Sequence, residues 1–309
     1  MYRIPTPHRI FSRSCTRYFT TTKSCYHDNP LGLPRQKQQP PTLPRRGGVT
    51  PEKRRLPGVK HIIAVASGKG GVGKSTTAVN IALAASSLKK KVGILDADLF
   101  GPSIPKLMNL KGEPELNANN QLIPLINFGV RCMSMGFLVG EESPVVWRGL
   151  MVMKALQQLL HQVQWGDLDL LVIDMPPGTG DTQLTISQQI ALSGAVIIST
   201  PQDIALIDAR KGTNMFKKVD VPILGIVQNM SLYICPNCQH QSHIFGHNGA
   251  ADFAKESGVD FLGDVPLHAD ICELSDKGQP IVASRPESIH SKAYRDIAEK
   301  IIQKLFVNN

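Results

Sequence analysis

The chain of 309 residues has little of what marks secreted, membrane-spanning or disulfide-built proteins. Its six cysteines (Cys15, Cys25, Cys132, Cys235, Cys238, Cys272) are scattered and too few for a disulfide scaffold at this length. No apolar run approaches the roughly 20 residues that cross a bilayer, so a soluble body with at most peripheral membrane contact is expected. Positions 1–27 lack acidic residues altogether, and they also lack the unbroken apolar core of a secretory signal. Internal repeats are absent.

What positions 1–27 do hold is five basic residues and many Ser/Thr. Arg9, Arg13 and Arg17 share one helical face, with Phe11, Cys15 and Tyr18 opposite. This composition predicts a transit peptide, most simply one for the mitochondrial matrix, with a disordered basic arm as the plain alternative. Residues 28–58 contain seven prolines and read as a basic linker. The net charge of +9 resides here. Residues 1–60 carry thirteen Lys/Arg against Asp28 and Glu52, leaving 21 basic and 23 acidic residues for the rest. A nearly neutral body argues against nucleic-acid binding.

From residue 59 to 309, apolar strand-like runs alternate with helix-like ones. Strands are expected at 61–66, 92–96, 170–174, 195–200, 223–227 and 261–263, and helices at 151–163, 182–192 and 203–218. Continuous rather than alternating apolar strands predict an α/β fold, a doubly wound, mostly parallel sheet flanked by helices, with its ligand at the carboxyl ends of the strands. Residues 289–306 form an amphipathic segment with Ile289, Ala293, Ile297, Ile301 and Leu305 on one face, expected to dock on the body.

The most specific motif is Gly68-Lys69-Gly70-Gly71-Val72-Gly73-Lys74-Ser75-Thr76, lying between the first strand and an apolar helix face. It matches G-x-x-x-x-G-K-[ST]. The glycines let backbone N–H groups curl around phosphates at a helix N-terminus, Lys74 reaches the β/γ oxygens, and Ser75 can ligate Mg²⁺. A glycine-rich turn without a ligand is the bland reading. Lys69 is not needed to make the loop.

Two acidic positions complete such a site. Asp98, in Asp96-Ala97-Asp98 after the second strand, can hold Mg²⁺ or orient a water, or merely start a turn. Asp174 ends Leu170-Leu171-Val172-Ile173 as a buried strand presenting one carboxylate towards Mg²⁺, and the following Met175-Pro176-Pro177-Gly178-Thr179-Gly180-Asp181 reads as a switch.

Cys235-Pro236-Asn237-Cys238 is the third constellation. Its residues alone fit zinc, with His240 and His243 completing the set, about as well as half of a four-thiolate iron–sulfur site shared with a second subunit. Cys132 and Cys272 are isolated and expected to be small buried residues.

The run 69–76 resembles the deviant phosphate loop of MinD/ParA/ArsA-type ATPases, in which the extra lysine contacts nucleotide held by a dimer partner. Within that class, Asp96-Ala97-Asp98-Leu99-Phe100-Gly101-Pro102-Ser103-Ile104-Pro105, Trp147-Arg148-Gly149, the 174–181 run, Gln228-Asn229-Met230-Ser231 and the C-x-x-C are similar to the Mrp-type iron–sulfur assembly ATPases over residues 59–306. The resemblance implies slow ATP hydrolysis by Lys69, Lys74, Asp98 and Asp174, with Asp98 in a first switch. It also implies adenine reading by Asn229, a homodimer, and a [4Fe–4S] cluster bridged by paired Cys235 and Cys238. The absence of an N-terminal four-cysteine motif sets aside the cytosolic scaffold member, and that of any cysteine at 174–181 the nitrogenase iron protein. A transit peptide joined directly to the ATPase body resembles the mitochondrial branch that supplies apo iron–sulfur proteins, notably respiratory complex I subunits. A positioning ATPase cycling on a membrane and a zinc-stabilised nucleotide-binding adaptor are the alternatives.

Overall fold

The computed structural model describes residues 53–99, 101–138 and 149–306. The expected transit peptide, most of the expected linker, Phe100 and the Trp147-Arg148 pair lie outside them. Nine strands form one sheet in the order β3-β4-β2-β5-β1-β6-β7-β8, with β9 also paired to β7. The strands are β1 Val59–Ala66, β2 Val92–Asp96, β3 Leu125–Asn127, β4 Val130–Ser134, β5 Leu168–Asp174, β6 Gly194–Ser199, β7 Ile223–Ile234, β8 Gln241–Ser242 and β9 Phe261–Leu267. All pairings are parallel except β3 with β4 and β7 with β8.

The central strands are buried because helices cover them. Ile63, Ala64 and Val65 of β1 and Leu171, Val172 and Ile173 of β5 are fully inaccessible, which is why those runs show no polar alternation. Helix α1 (Lys74–Ser87) follows β1 directly and packs against α9 (Ile289–Phe306). The expected docking of that last segment is seen, with a corrected face. Tyr294, Ile297, Ala298, Ile301 and Leu305 are buried, whereas Ile289 is 66% exposed. Among the described residues no helix is long and apolar enough to cross a membrane.

The remaining helices are α2 Ile104–Leu107, α3 Gly149–His161, α4 Asp181–Gln189, α5 Asp203–Lys218, α6 Gly249–Ser257, α7 Ala269–Asp276 and α8 Ile281–Ser284. Residues 53–58, read as linker, lie on the body. Leu56 is buried, and the Arg54 backbone bonds to Gln189 at the end of α4 and to Ala191 just beyond it. Of the two isolated cysteines, Cys132 is buried in β4 as expected, and burial pushes its thiol up to about 12. Cys272 is exposed instead, because α7 buries Ser275 and turns Cys272 outward.

Candidate functional site

The loop between β1 and α1 is shaped by what cannot stand at its glycines. Gly71 and Gly73 both sit at φ +81°, a left-handed conformation that L side chains rarely adopt. A Cβ on Gly68 would meet the Asp208 backbone of α5 at 2.1 Å, and one on Gly73 would meet Asn229 Nδ2 at 2.2 Å. At Gly70 and Gly71 a Cβ would meet nothing within 4 Å. The loop is thus pinned on two flanks and open at its centre. Helix α1 begins at Lys74 with no side-chain cap and no acid in its first turn, so its N–H groups and dipole face that opening. A polyphosphate fits this cradle.

Three buried charges lie beneath it. Lys74 Nζ donates to Asp174 Oδ1 at 2.6 Å and to Ser75 Oγ at 3.1 Å. Asp174 Oδ2 is buried with no hydrogen-bond partner. Asp96, fully buried beside it, accepts from the N–H groups of Asp98, Ser103 and Ile104 and from Ser134 Oγ. Two carboxylates against one ammonium leave the centre short of positive charge, and the orphaned oxygen marks where a cation fits.

Burial raises Asp96 to about 7, helped by the neighbouring Asp174. Burial also raises Asp174, with Lys74 pulling the other way. The sign of the linkage follows. An acid that keeps its proton to higher pH when folded stabilises the fold below its unfolded value, and that stability is lost as pH climbs to the folded value. The Asp96 contribution therefore declines between about pH 4 and about pH 7. Thermal unfolding of metal-free, nucleotide-free protein should shift to lower temperature as pH rises through that window, and Mg²⁺ with ATP should flatten the slope. An equal slope in both conditions would show that these carboxylates are not where the cation goes.

Both acidic loops are tied to the same strand ends. Ala97 N–H donates to Asp174 O at 2.9 Å, Met175 N–H to Val65 O at 3.0 Å, and Gly178 N–H to Ser67 O at 3.1 Å. Asp98 is half-buried, accepts from Gly101 N–H at 3.3 Å and adds negative potential at Asp174. Lys69 is half-buried, and among the described residues its ammonium has no hydrogen bond or ion pair; its carbonyl accepts from Ser67 Oγ. Asn229, 7% exposed, donates from Nδ2 to Val72 O at 2.8 Å. The structure thus gathers Lys74, Ser75, Asp98, Asp174 and Asn229 around the loop. Asp96 was underrated by sequence reasoning: it accepts from the N–H groups of Asp98, Ser103 and Ile104, and the first of these bonds sets Asp98 in place.

The thiols sit apart, on the hairpin beyond β7. Cys235 lies six residues past Asn229, at most about 20 Å along an extended strand. The turn closes with Cys235 N–H donating to His240 O at 3.0 Å and Gln239 N–H to Cys235 O at 2.9 Å. Backbone N–H groups of Cys238 and Asn237 point at the Cys235 sulfur and hold its pKa below the usual thiol value, which favours the thiolate a metal requires. Cys235 is partly exposed and Cys238 exposed. Of the candidate zinc partners, His243 is engaged elsewhere. Its Nδ1 lies 3.3 Å from Ser231 O and its ring stacks on His247 at 3.6 Å. Among the described residues no group of three or more His, Cys, Asp or Glu is assembled for a metal. Within one chain, the site is two thiols.

Comparison with known proteins agrees with this geometry. Residues 58–302 match the ParA family model described as NUBPL iron-transfer P-loop NTPase. The iron-sulfur cluster transfer protein NUBPL of Mus musculus is 59% identical over 271 residues, covering 87% of this chain and 84% of that protein. The Arabidopsis thaliana iron-sulfur protein required for NADH dehydrogenase, mitochondrial, is 56% identical, covering 84% and 83%. Among solved structures, the nucleotide-binding protein of Archaeoglobus fulgidus in complex with ADP aligns with TM-score 0.65 at 38% identity, over 74% of this chain and 90% of that one. The cell division ATPase MinD of Pyrococcus furiosus aligns with TM-score 0.59 over 79% and 99%; at 22% identity it supports the fold alone.

Proposed function

The chain belongs to the ParA-type family of NUBPL iron-transfer P-loop NTPases, and from that premise we propose that it is an ATP-dependent carrier of iron–sulfur clusters. ATP binds in Gly68–Thr76, with Lys74 on its phosphates and Asn229 on the adenine side. Mg²⁺, held by Ser75 and Asp174 with Asp98 nearby, offsets phosphate charge. Hydrolysis is slow and resets the carrier. The cargo is a [4Fe–4S] cluster held between the Cys235/Cys238 pairs of two copies, with Lys69 reaching the partner's nucleotide. Residues 1–27 direct the chain to the mitochondrial matrix, the proline-rich stretch from 28 links, and the body that begins at about residue 53 forms the ATPase domain. The recipients are apo iron–sulfur proteins, respiratory complex I subunits among them.

One observation carries this reading: a single strand, β7, bears Asn229 on the phosphate loop and runs on into the thiol turn. On this reading one strand joins the nucleotide site to the cargo site. Anaerobic purification followed by metal and sulfide analysis tests the cargo. About four iron and four sulfide per two chains are expected after reconstitution. About one zinc per chain with no sulfide would replace the carrier with a zinc-stabilised adaptor.

A further inference from the structure

We propose that Met230 is the positioning residue that couples the phosphate loop to the Cys235/Cys238 turn. The proposal rests on the reading above, nucleotide at the loop and cargo at the thiols, and adds the element between them. Met230 lies inside a strand yet has φ +55°, where a side chain other than glycine is rarely found. The β7–β9 ladder breaks at the same place. Asn229 pairs with Val265 and Tyr233 with Leu267, so four steps along β7 face only two along β9. The surplus residues form a bulge.

The bulge separates a fixed half from a projecting one. Before it, residues up to Gln228 are paired with β6 in the central sheet. The Gln228 side chain adds bonds to Asp264 and to the Ala250 N–H, both buried in part or whole. After it, β7 no longer pairs with β6; it pairs with the short β8 through Tyr233 and Ile234, and holds β9 by the Tyr233–Leu267 pairing and the Ser231 Oγ bond to Val265 O. The thiol turn is therefore the end of an arm hinged at Met230.

The hinge lies beside the nucleotide loop. Met230 Cε lies 3.9 Å from where a Cβ on Gly73 would stand, a space it shares with the Asn229 amide. A shift of Val72 and Gly73 on a triphosphate would be passed to this pair through the Asn229 Nδ2 bond to Val72 O. A residue held in the left-handed region has an extended basin as its alternative, and moving between the two re-aims everything beyond it. That supplies the two-state element that coupling between separated sites requires.

The test uses metal-free, full-length protein and reads the thiols themselves. Alkylation rates of Cys235 and Cys238 are measured by mass spectrometry with and without Mg²⁺ and ATP. Wild type should show a several-fold difference between the two conditions. In Met230→Gly, glycine adopts the same φ without strain but presses on nothing, so nucleotide should still bind while the difference vanishes. Met230→Leu, which restores an apolar side chain against Gly73, should recover it. The proposal is overturned if Met230→Gly keeps the wild-type difference, if wild type shows none, or if Met230→Gly loses nucleotide binding, which would make Met230 a plain support of the loop. Because no cluster is present, failure here is distinct from a failure of the cargo assignment, which iron and sulfide analysis decides.

Discussion

Replacing Lys74 by alanine is expected to abolish ATP hydrolysis and to destabilise the nucleotide-free protein by about 3–5 kcal/mol at neutral pH. The two effects have different origins. Hydrolysis fails because a cation aimed at the phosphates is gone, a loss on the order of 100- to 1,000-fold for one preorganised donor. Stability fails because Lys74 Nζ is the partner of Asp174 Oδ1 at 2.6 Å while Oδ2 has none, and both side chains are buried. An exposed pair of the same length would cost under about 1 kcal/mol. Burial decides the magnitude, since the variant must hold Asp174 beside Asp96 with nothing opposite.

A charge origin leaves a signature in pH. Without Lys74, burial is unopposed and raises Asp174 further, so its protonated form is the one the fold tolerates. The variant's deficit should be small below the unfolded carboxylate value and grow as pH rises towards the raised folded value. Urea unfolding of variant and wild type at about pH 5 and about pH 8 therefore should show the gap widening with pH. A gap of constant size would mean that Lys74 matters for packing and not for charge. Undiminished hydrolysis would remove ATP chemistry from the loop.

Much of this site was legible because its chemistry is local in sequence. The phosphate loop, β1, β5 and the start of α1 are read from one glycine run and two uninterrupted apolar runs, and a buried parallel strand has no other way to appear. What was missed depends on partners far along the chain. The strand expected to end at Val227 continues to Ile234 through Gln228-Asn229-Met230-Ser231. Polar residues ordinarily end a buried strand, but here Asp264, the Ala250 N–H, Val72 O and Val265 O satisfy them. Strands β3 and β4 escaped notice because they are short, β3 buries none of its residues, and β4 carries Arg131 between buried Val130 and Cys132. Asp96 stood two residues from a more conspicuous acid, and only the fold reveals that it organises the segment holding that acid. The sequence also leaves zinc and iron–sulfur equally open at Cys235 and Cys238, since His240 and His243 are near in number. The stacking of His243 on His247 is a fact of three dimensions.

Changing Cys235 and Cys238 together to alanine is expected to eliminate bound iron and sulfide while leaving nucleotide affinity and thermal stability close to wild type. The separation follows from where the thiols are. They stand on a turn at the end of β7, one partly and one well exposed, and should cost within about 0.5 kcal/mol to truncate, as other surface changes do. A four-thiolate cluster has no reserve ligands among the described residues. Cys132 is sealed in β4 with its thiol raised to about 12, and Cys272 lies on the outer side of α7, outside any assembled metal group. Each single variant should lose the cluster as well, because a bridged site has two thiolates per chain and losing one removes half of each subunit's share. Iron and sulfide retained in the double variant would move the cargo elsewhere on the molecule. Loss of ATP binding along with the iron would mean that the turn supports the loop's structure rather than answering to it. The Lys74 and cysteine variants are thus expected to fail in opposite halves of the same cycle, one with thiols that can still take a cluster and no nucleotide drive, the other with a working phosphate loop and nothing to carry.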